Sequence, residues 1–313
     1  MPTFLDTPVH VRVPATSANL GPGFDSAGLA LGLLDDVVVR VTSSGLGLGI
    51  SGEGKDDVAR GERHLVVRAL RATFDRLGGQ PPGLKVFCTN RIPHARGLGS
   101  SSAAIVSGIV AACALVADAD LDDQARLELA DELEGHPDNV AACLRGGATF
   151  AWTEDARPRV LRLDAHPDLA PVAFVPATRS STKAARGLLP ATVPYADAVL
   201  NASRAALLPH AVAADPSLLL AATEDRLHQA YRASAMPASA ALVAELRHAG
   251  VAAVMSGAGP TVLALCTRAA RAALLVERAG WKVLPLEVEA RGAHVVGGPG
   301  TGPDRAGADA RGA

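Results

Sequence analysis

The sequence predicts an α+β protein built as two packed domains, and three observations lead there. A chain of 313 residues is long for one compact domain and ample for two. Strand-like alternation and helical periodicity follow one another in mixed order, with antiparallel hairpins, which favours α+β layers over a doubly wound parallel sheet. A segment rich in Arg, Pro and Asp, Glu154 to His166, separates two such mixtures and marks the crossing. The expected units are residues 1–156 and 157–296, followed by a disordered tail, 297–313, that has no large apolar side chain to offset chain entropy.

Taken in order, Val9–Val13, Ala27–Leu33, Val37–Val41 and Leu46–Ile50 read as strands, punctuated by the Gly, Pro and Asp of β-turns. Leu65, Ala69, Ala72 and Leu77 share one helical face before Gly78 ends the helix. A strand, Leu84–Thr89, leads through a Gly/Ser loop into an apolar helix, and a further helix, about Asp123–Glu134, stops at Gly135 and Pro137. Ala148–Trp152 and Val160–Leu163 are strands. Beyond the crossing come a strand at Val172–Val175, several helices, and VAAVMSGAGPTVLAL, a strand–turn–strand unit. A helix near Ala269–Ala279 and a strand near Val283–Val288 close the order.

Composition excludes several function classes. Hydrophobic residues are 49% and charged residues 20%, ordinary globular usage, so the chain as a whole is not disordered. The net charge of -2 carries no basic cluster and aromatics are only 3%, which argues against nucleic acid as a partner. The apolar run 103–117 spans roughly 22 Å as a helix, too short for a hydrocarbon core of about 30 Å, so no membrane span is expected. Cys88, Cys113, Cys143 and Cys266 show no metal-ligand spacing, and the start MPTFLDTPVHVRV lacks a signal peptide's pattern; both point to the cytoplasm.

The strongest chemical signal is PHARGLGSSSAA, Pro93 to Ala104. Gly97 and Gly99 allow a tight turn, and Ser100, Ser101 and Ser102, good capping residues, open the apolar helix. The first turn of a helix has unpaired N–H groups and a partial positive charge, which makes an anion cradle. No Lys stands where a Walker A loop needs one, and the third Gly of GPGFDSAG comes too late for a dinucleotide fingerprint.

PHARGLGSSSAA resembles the central motif of the GHMP small-molecule kinases. VRVPATSANLGPGFDSAGLAL (Val11 to Leu31) is similar to their first motif, in the form typical of homoserine kinases. EGHPDNVAA (Glu134 to Ala142) and VMSGAGPTVLAL (Val254 to Leu265) are similar to two more, in the expected order. The resemblance implies an N-terminal domain related to a ribosomal-protein fold (the second domain of S5), a ferredoxin-like C-terminal domain, and an active site between them. It also implies transfer of the γ-phosphoryl group of ATP to the side-chain hydroxyl of L-homoserine, with Mg²⁺, in a chain of the kind that often forms homodimers.

Site residues follow from the same resemblance. Pro93, Arg96, Gly97, Leu98, Gly99, Ser100, Ser101, Ser102 and Ala103 form the ATP loop, and Ser100 with a downstream carboxylate holds Mg²⁺. Glu134 is favoured for that carboxylate because it heads EGHPDN; Glu132 aligns equally well with relatives carrying an insertion, and both stay open. Arg186 and Arg232 match carboxylate-binding arginines, whose planar forks suit the task. Asn19, Asp25, Asn139 and Gly257 match other substrate contacts. Asp25 and Asn139 are the catalytic candidates, orienting the hydroxyl; Asn cannot accept a proton as a carboxylate can, so no general base is evident. His136 and Asp138 read as structural loop residues, and Thr182 and Lys183 as helpers in charge neutralisation. His64 stands where the family usually has a nucleotide-associated Asn. The alternatives are a GHMP kinase for another small carboxylate-bearing alcohol, or a non-catalytic sensor of the same fold.

Overall fold

Two β-sheets organise residues 2–297, the part of the chain that the computed structural model describes. The first half runs β1 (Val9–Asn19), β2 (Gly23–Thr42), β3 (Gly45–Gly52), α1 (Leu65–Arg76), β4 (Gly83–Asn90), α2 (Ser100–Leu115), α3 (Asp123–Glu134), α4 (Pro137–Arg145), β5 (Ala148–Glu154) and β6 (Arg157–Leu163). The second runs β7 (Val172–Pro176), α5 (Thr182–Arg186), α6 (Tyr195–Ala213), α7 (Leu219–Ala222), α8 (Gln229–Arg232), α9 (Pro237–His248), β8 (Ala252–Met255), β9 (Val262–Leu265), α10 (Arg268–Arg271), β10 (Trp281–Pro285) and β11 (His294–Val295).

The larger sheet has seven strands along the path β11-β1-β2-β4-β3, with β5 and β6 joined to the other end of β2. The two strands expected at Ala27–Leu33 and Val37–Val41 are one 20-residue strand. Asp35 and Asp36 look like turn chemistry in sequence, but their polarity is absorbed inside the strand. Asp35 Oδ1 accepts the Arg91 and Ile92 N–H groups, and Asp36 binds His10, Arg12 and Arg91. The strand therefore runs through, pairing with β4 at Asp36–Thr42 and with β5 at Ala27–Leu29. One pair, β3 with β4, is parallel rather than antiparallel, and α1 supplies the crossover that such a pair needs.

Helix α2 lies in the core. Ile105, Val106, Ile109 and Leu115 are buried, and Gly108 lets α1 come close, since a methyl there would meet the Ala69 methyl at 2.7 Å. Apolar on nearly all sides, it has the composition of a fully enclosed helix.

The smaller sheet has the order β10-β7-β9-β8, antiparallel throughout. Numbered within itself this is 4-1-3-2, the split β-α-β arrangement of ferredoxin-like folds. The boundary expected at 156/157 cuts through a hairpin: β6 pairs with β5 from Arg157 to Leu163, so both belong to the larger sheet. The chain crosses over between Leu163 and Val172, and β11 later returns to pair with β1. The helix expected near 269–279 ends at Arg271 with a 3-10 turn behind it, because Leu275 and Val276 are exposed and give it no apolar stripe to bury. The tail expected from residue 297 lies, from 298 onward, outside the described residues.

Candidate active site

The Gly/Ser loop delivers an open helix end, though not as the capping pattern suggested. The residue before α2 is Gly99, at φ +69°, and no side chain caps the helix. The first N–H with a helical partner is that of Ala103, which donates to Gly99 O at 2.9 Å. The N–H groups of Ser100, Ser101 and Ser102 precede it, so the cradle lies open. Ser101 and Ser102 turn their hydroxyls instead to Glu134, donating to Oε1 at 2.6 and 2.9 Å.

Two cavities meet at this helix end, sharing Ala95, Ser100 and Ser101. One, about 280 Å³, is walled largely by apolar groups and includes Val37, Val66, Ala103, Ala104, His64 and Asp35. His64 is buried there with Nδ1 unpartnered; burial, aided by the charges of His94 and Arg60, pushes its pKa down. The other, about 90 Å³, is polar and lies between the sheets. Asn19, Asp25, Gly97, Gly99, Glu134, Asn139, Arg186, Arg232 and Gly257 all line it. These come from all four sequence motifs and from α5 and α8.

Contacts between the motifs fix this geometry. Asn19 ends β1 at φ +72°, its Nδ2 donates to Gly257 O (2.9 Å), and its Oδ1 accepts the Asp25 N–H (3.0 Å). Ser256 Oγ donates to Gly97 O (2.5 Å) and lies 2.8 Å from Ser17 Oγ. Asn139 Oδ1 accepts from Thr16 Oγ1 (2.7 Å), and its Nδ2 donates to Asp138 Oδ1 (3.2 Å), so the amide is held at both ends. Asp138 also meets His136 Nδ1 at 3.0 Å, and that bond raises the His136 pKa.

The two arginines differ. Arg186 makes a two-pronged pair with Asp25, at 2.9 and 2.6 Å. Arg232 is only 2% exposed, yet has no carboxylate partner among the described residues. Its Nη1 reaches His228 Nδ1 (3.2 Å) and, weakly, Gly257 O (3.4 Å); its Nε has no partner. Both guanidinium groups lie over the Phe24 ring, at 5.5 and 5.1 Å from its centroid.

Some expected positions do other work. Arg96 donates to the carbonyls of Pro176, His94 and Ala177, tying the loop to the end of β7 rather than facing either cavity. Pro93, Leu98 and Ser102 line neither cavity. Leu98 is buried, and its carbonyl accepts the Thr16 N–H. Glu132 lies away from the helix end, exposed and paired with Arg76 at 2.6 Å, whereas Glu134 faces the cavity. His136 and Asp138, expected to be structural, line the polar cavity, and so do Thr182, Ser180 and Phe24; Lys183 does not. EGHPDN held the signal for the first two. Nothing local marks Phe24 or Ser180.

Comparison with known proteins shows the family and the fold. Residues 64–147 match the model of the GHMP kinases N terminal domain, and residues 210–280 that of the GHMP kinases C terminal domain. The homoserine kinase of Streptomyces avermitilis is 59% identical over 299 residues, covering 94% of this chain and 98% of that protein. That of Streptomyces coelicolor is 62% identical over 266 residues, covering 84% and 86%. The crystal structure of homoserine kinase from Cytophaga hutchinsonii superposes with a TM-score of 0.80 at 26% identity, covering 95% and 99%. With three-fifths of its residues shared with such relatives over nearly its full length, the chain belongs to the homoserine kinase family of the GHMP kinases.

Proposed function

We infer that the chain transfers the γ-phosphoryl group of ATP to the side-chain hydroxyl of L-homoserine, yielding O-phospho-L-homoserine and ADP for threonine biosynthesis. The observation that carries the site assignment is Arg232: a buried guanidinium with no carboxylate partner among the described residues, beside a second arginine, at the edge of an open helix N-terminus. Isolated buried charge is costly, so such a group is built for an anionic partner. An amino-acid carboxylate fits; the hydroxyl of a neutral sugar does not.

In this reading the apolar cavity takes the adenosine, and the N–H groups of Ser100 to Ser102 take the phosphates. Arg232 and Arg186 receive the substrate carboxylate. Asp25, at present held by Arg186, is freed as that carboxylate arrives and turns to the ammonium and hydroxyl. Asn139, fixed by Thr16 and Asp138, orients the hydroxyl. The hydroxyl oxygen bonds to the γ-phosphorus as the bridging P–O bond breaks, ADP leaves with that electron pair, and the hydroxyl proton passes to water; no carboxylate base is required of Asn139, because phosphoryl transfer depends mainly on positioning and charge stabilisation.

Mg²⁺ fits the donor set. It keeps several waters and uses one or two carboxylates plus substrate phosphates. The described residues hold no cluster of three or more His, Cys, Asp and Glu that would cage a metal alone. Glu134, beside the serines of the helix end, offers the single carboxylate needed, and with Ser100 it would hold the ion. When bound, the ion neutralises charge on the phosphates. Four unpaired, buried cysteines suit a reducing cytoplasm.

ADP release from ATP and Mg²⁺, measured with L-homoserine, L-threonine, L-serine, mevalonate and galactose, tests the assignment. Turnover is expected to be greatest with L-homoserine. Turnover with mevalonate and none with homoserine would reject it.

A further inference from the structure

We propose that His228 is a positioning residue for the carboxylate clamp, presenting a neutral ring nitrogen that holds the Arg232 guanidinium in the orientation that receives the amino-acid substrate. The inference rests on the reading of Arg232 given above and extends it to a side chain that lines neither cavity.

The assignment of the ring protons leaves no choice. His228 is fully buried, and its Nε2 lies 2.8 Å from Gly21 O. A carbonyl oxygen can only accept, so Nε2 carries the proton. Arg232 Nη1, 3.2 Å from Nδ1, can only donate, so Nδ1 is the acceptor. Each partner demands the same neutral tautomer. Burial, the largest influence, pushes the imidazole pKa down; Arg232 pushes the same way, against Asp225, the Gly21 carbonyl and Asp25.

The geometry also shows why Arg232 needs such a partner. Among the described residues the guanidinium has no carboxylate to fix it, its bond to Gly257 O is long at 3.4 Å, and an aromatic face such as Phe24 attracts a cation without setting its rotation. The His228 bond is the shortest that the guanidinium makes. The imidazole is in turn packed beside Phe24, with ring centroids 5.0 Å apart, and tied to the first motif at Gly21. A neutral acceptor serves where a carboxylate would not, because a carboxylate would compete with the substrate for the same charge.

Steady-state kinetics of four variants test this, with unfolding midpoints measured alongside. His228→Leu removes both bonds. His228→Asn places an amide oxygen near the Nδ1 position and keeps the acceptor for Arg232. His228→Gln places its amide near the Nε2 position and keeps the donor to Gly21. The expected result is a rise of about tenfold or more in the homoserine KM of His228→Leu, the size of a lost bond to a charged group, with the ATP KM nearly unmoved. His228→Asn should recover most of that loss and His228→Gln little. With 3-aminopropan-1-ol, which lacks the carboxylate, His228→Leu and the unaltered chain should be alike.

Recovery by Gln and not by Asn would overturn the proposal in favour of a loop tether. A loss by His228→Leu that is equal for both KM values, or equal for the two alcohols, would overturn it as well. Arg232→Leu separates the two levels. If it raises the homoserine KM while His228→Leu does not, the role of His228 fails alone; if it leaves that KM unchanged, the clamp reading fails and the proposal falls with it.

Discussion

Asp25 is paired with Arg186 here, and in the proposed mechanism it is released as the substrate carboxylate arrives. It sits at φ +54°, a conformation Asp and Asn tolerate better than most residues, and both its oxygens are held by Arg186. Asp25→Asn keeps the shape and removes the charge. As a clamp residue it should raise the homoserine KM by about tenfold or more, with a smaller change in kcat. Loss of kcat with unchanged homoserine binding would instead make Asp25 an essential base. Asp35 carries a separate prediction, about stability. Burial, only partly offset by the Arg91 and Ile92 N–H groups and the Arg91 charge, pushes its pKa from 3.8 up to about 6. The folded chain therefore binds this proton more tightly than the unfolded chain, and stability declines as pH rises between those values, then levels off. Asp36 lies outside that window: despite its own burial it is held down at about 2 by Arg91, His10 and Arg12. Asn at position 35 retains an acceptor for the two amides, so Asp35→Asn should gain stability relative to the unaltered chain between about pH 4 and pH 7. Unfolding midpoints that stay in constant proportion across that range would contradict the assignment.

Helix α2 is the element on which the cradle depends, and its first turn is set by glycine. At Gly99 a methyl group would overlap Thr16 Oγ1 and approach Asn139 Oδ1 to 3.3 Å, at a φ of +69°. Gly99→Ala should thus lose about 1–3 kcal/mol in urea unfolding and also raise the ATP KM. Unchanged stability and unchanged ATP KM would show that the turn is not strained against its neighbours. Elements such as α1, α3 and β4 were legible in the sequence because each carries its own periodicity or stop signal, and α2 because it is one long apolar run behind a Gly/Ser loop. Strand β2 was legible only as two shorter strands, because Asp35 and Asp36 look like a turn until Arg91, His10 and Arg12 arrive from elsewhere. The hairpin through residue 156 was misplaced for a similar reason. Its Arg and Pro residues resemble a linker, and although Val160–Leu163 reads as a strand, only its pairing with β5 shows that it belongs to the larger sheet.

At the scale of the whole molecule, the site exists only where the two sheets meet. VRVPATSANLGPGFDSAGLAL, PHARGLGSSSAA and VMSGAGPTVLAL join through Asn19, Gly97, Ser256 and Gly257, and EGHPDNVAA joins the first of these through Thr16 and Asn139. Local chemistry made the Gly/Ser loop readable, with glycine where a turn is tight and serine at a helix start; the other motifs and the two arginines were readable only through their resemblance to the GHMP kinases. The pairings between them were not readable. Asp25 and Arg186 are 161 residues apart, and His228 and Gly21 are 207 apart, so nothing in either neighbourhood announces the partner. The same distance hid that Arg96 serves the join between sheets instead of the phosphates. A crystal structure with L-homoserine and a non-hydrolysable ATP analogue is the most direct measurement of the central claim. The account predicts phosphates on the N–H groups of Ser100 to Ser102, the carboxylate on Arg232 and Arg186, and the hydroxyl beside Asn139 aimed at the γ-phosphorus. Homoserine bound away from both arginines, or phosphates held elsewhere than the start of α2, would contradict it.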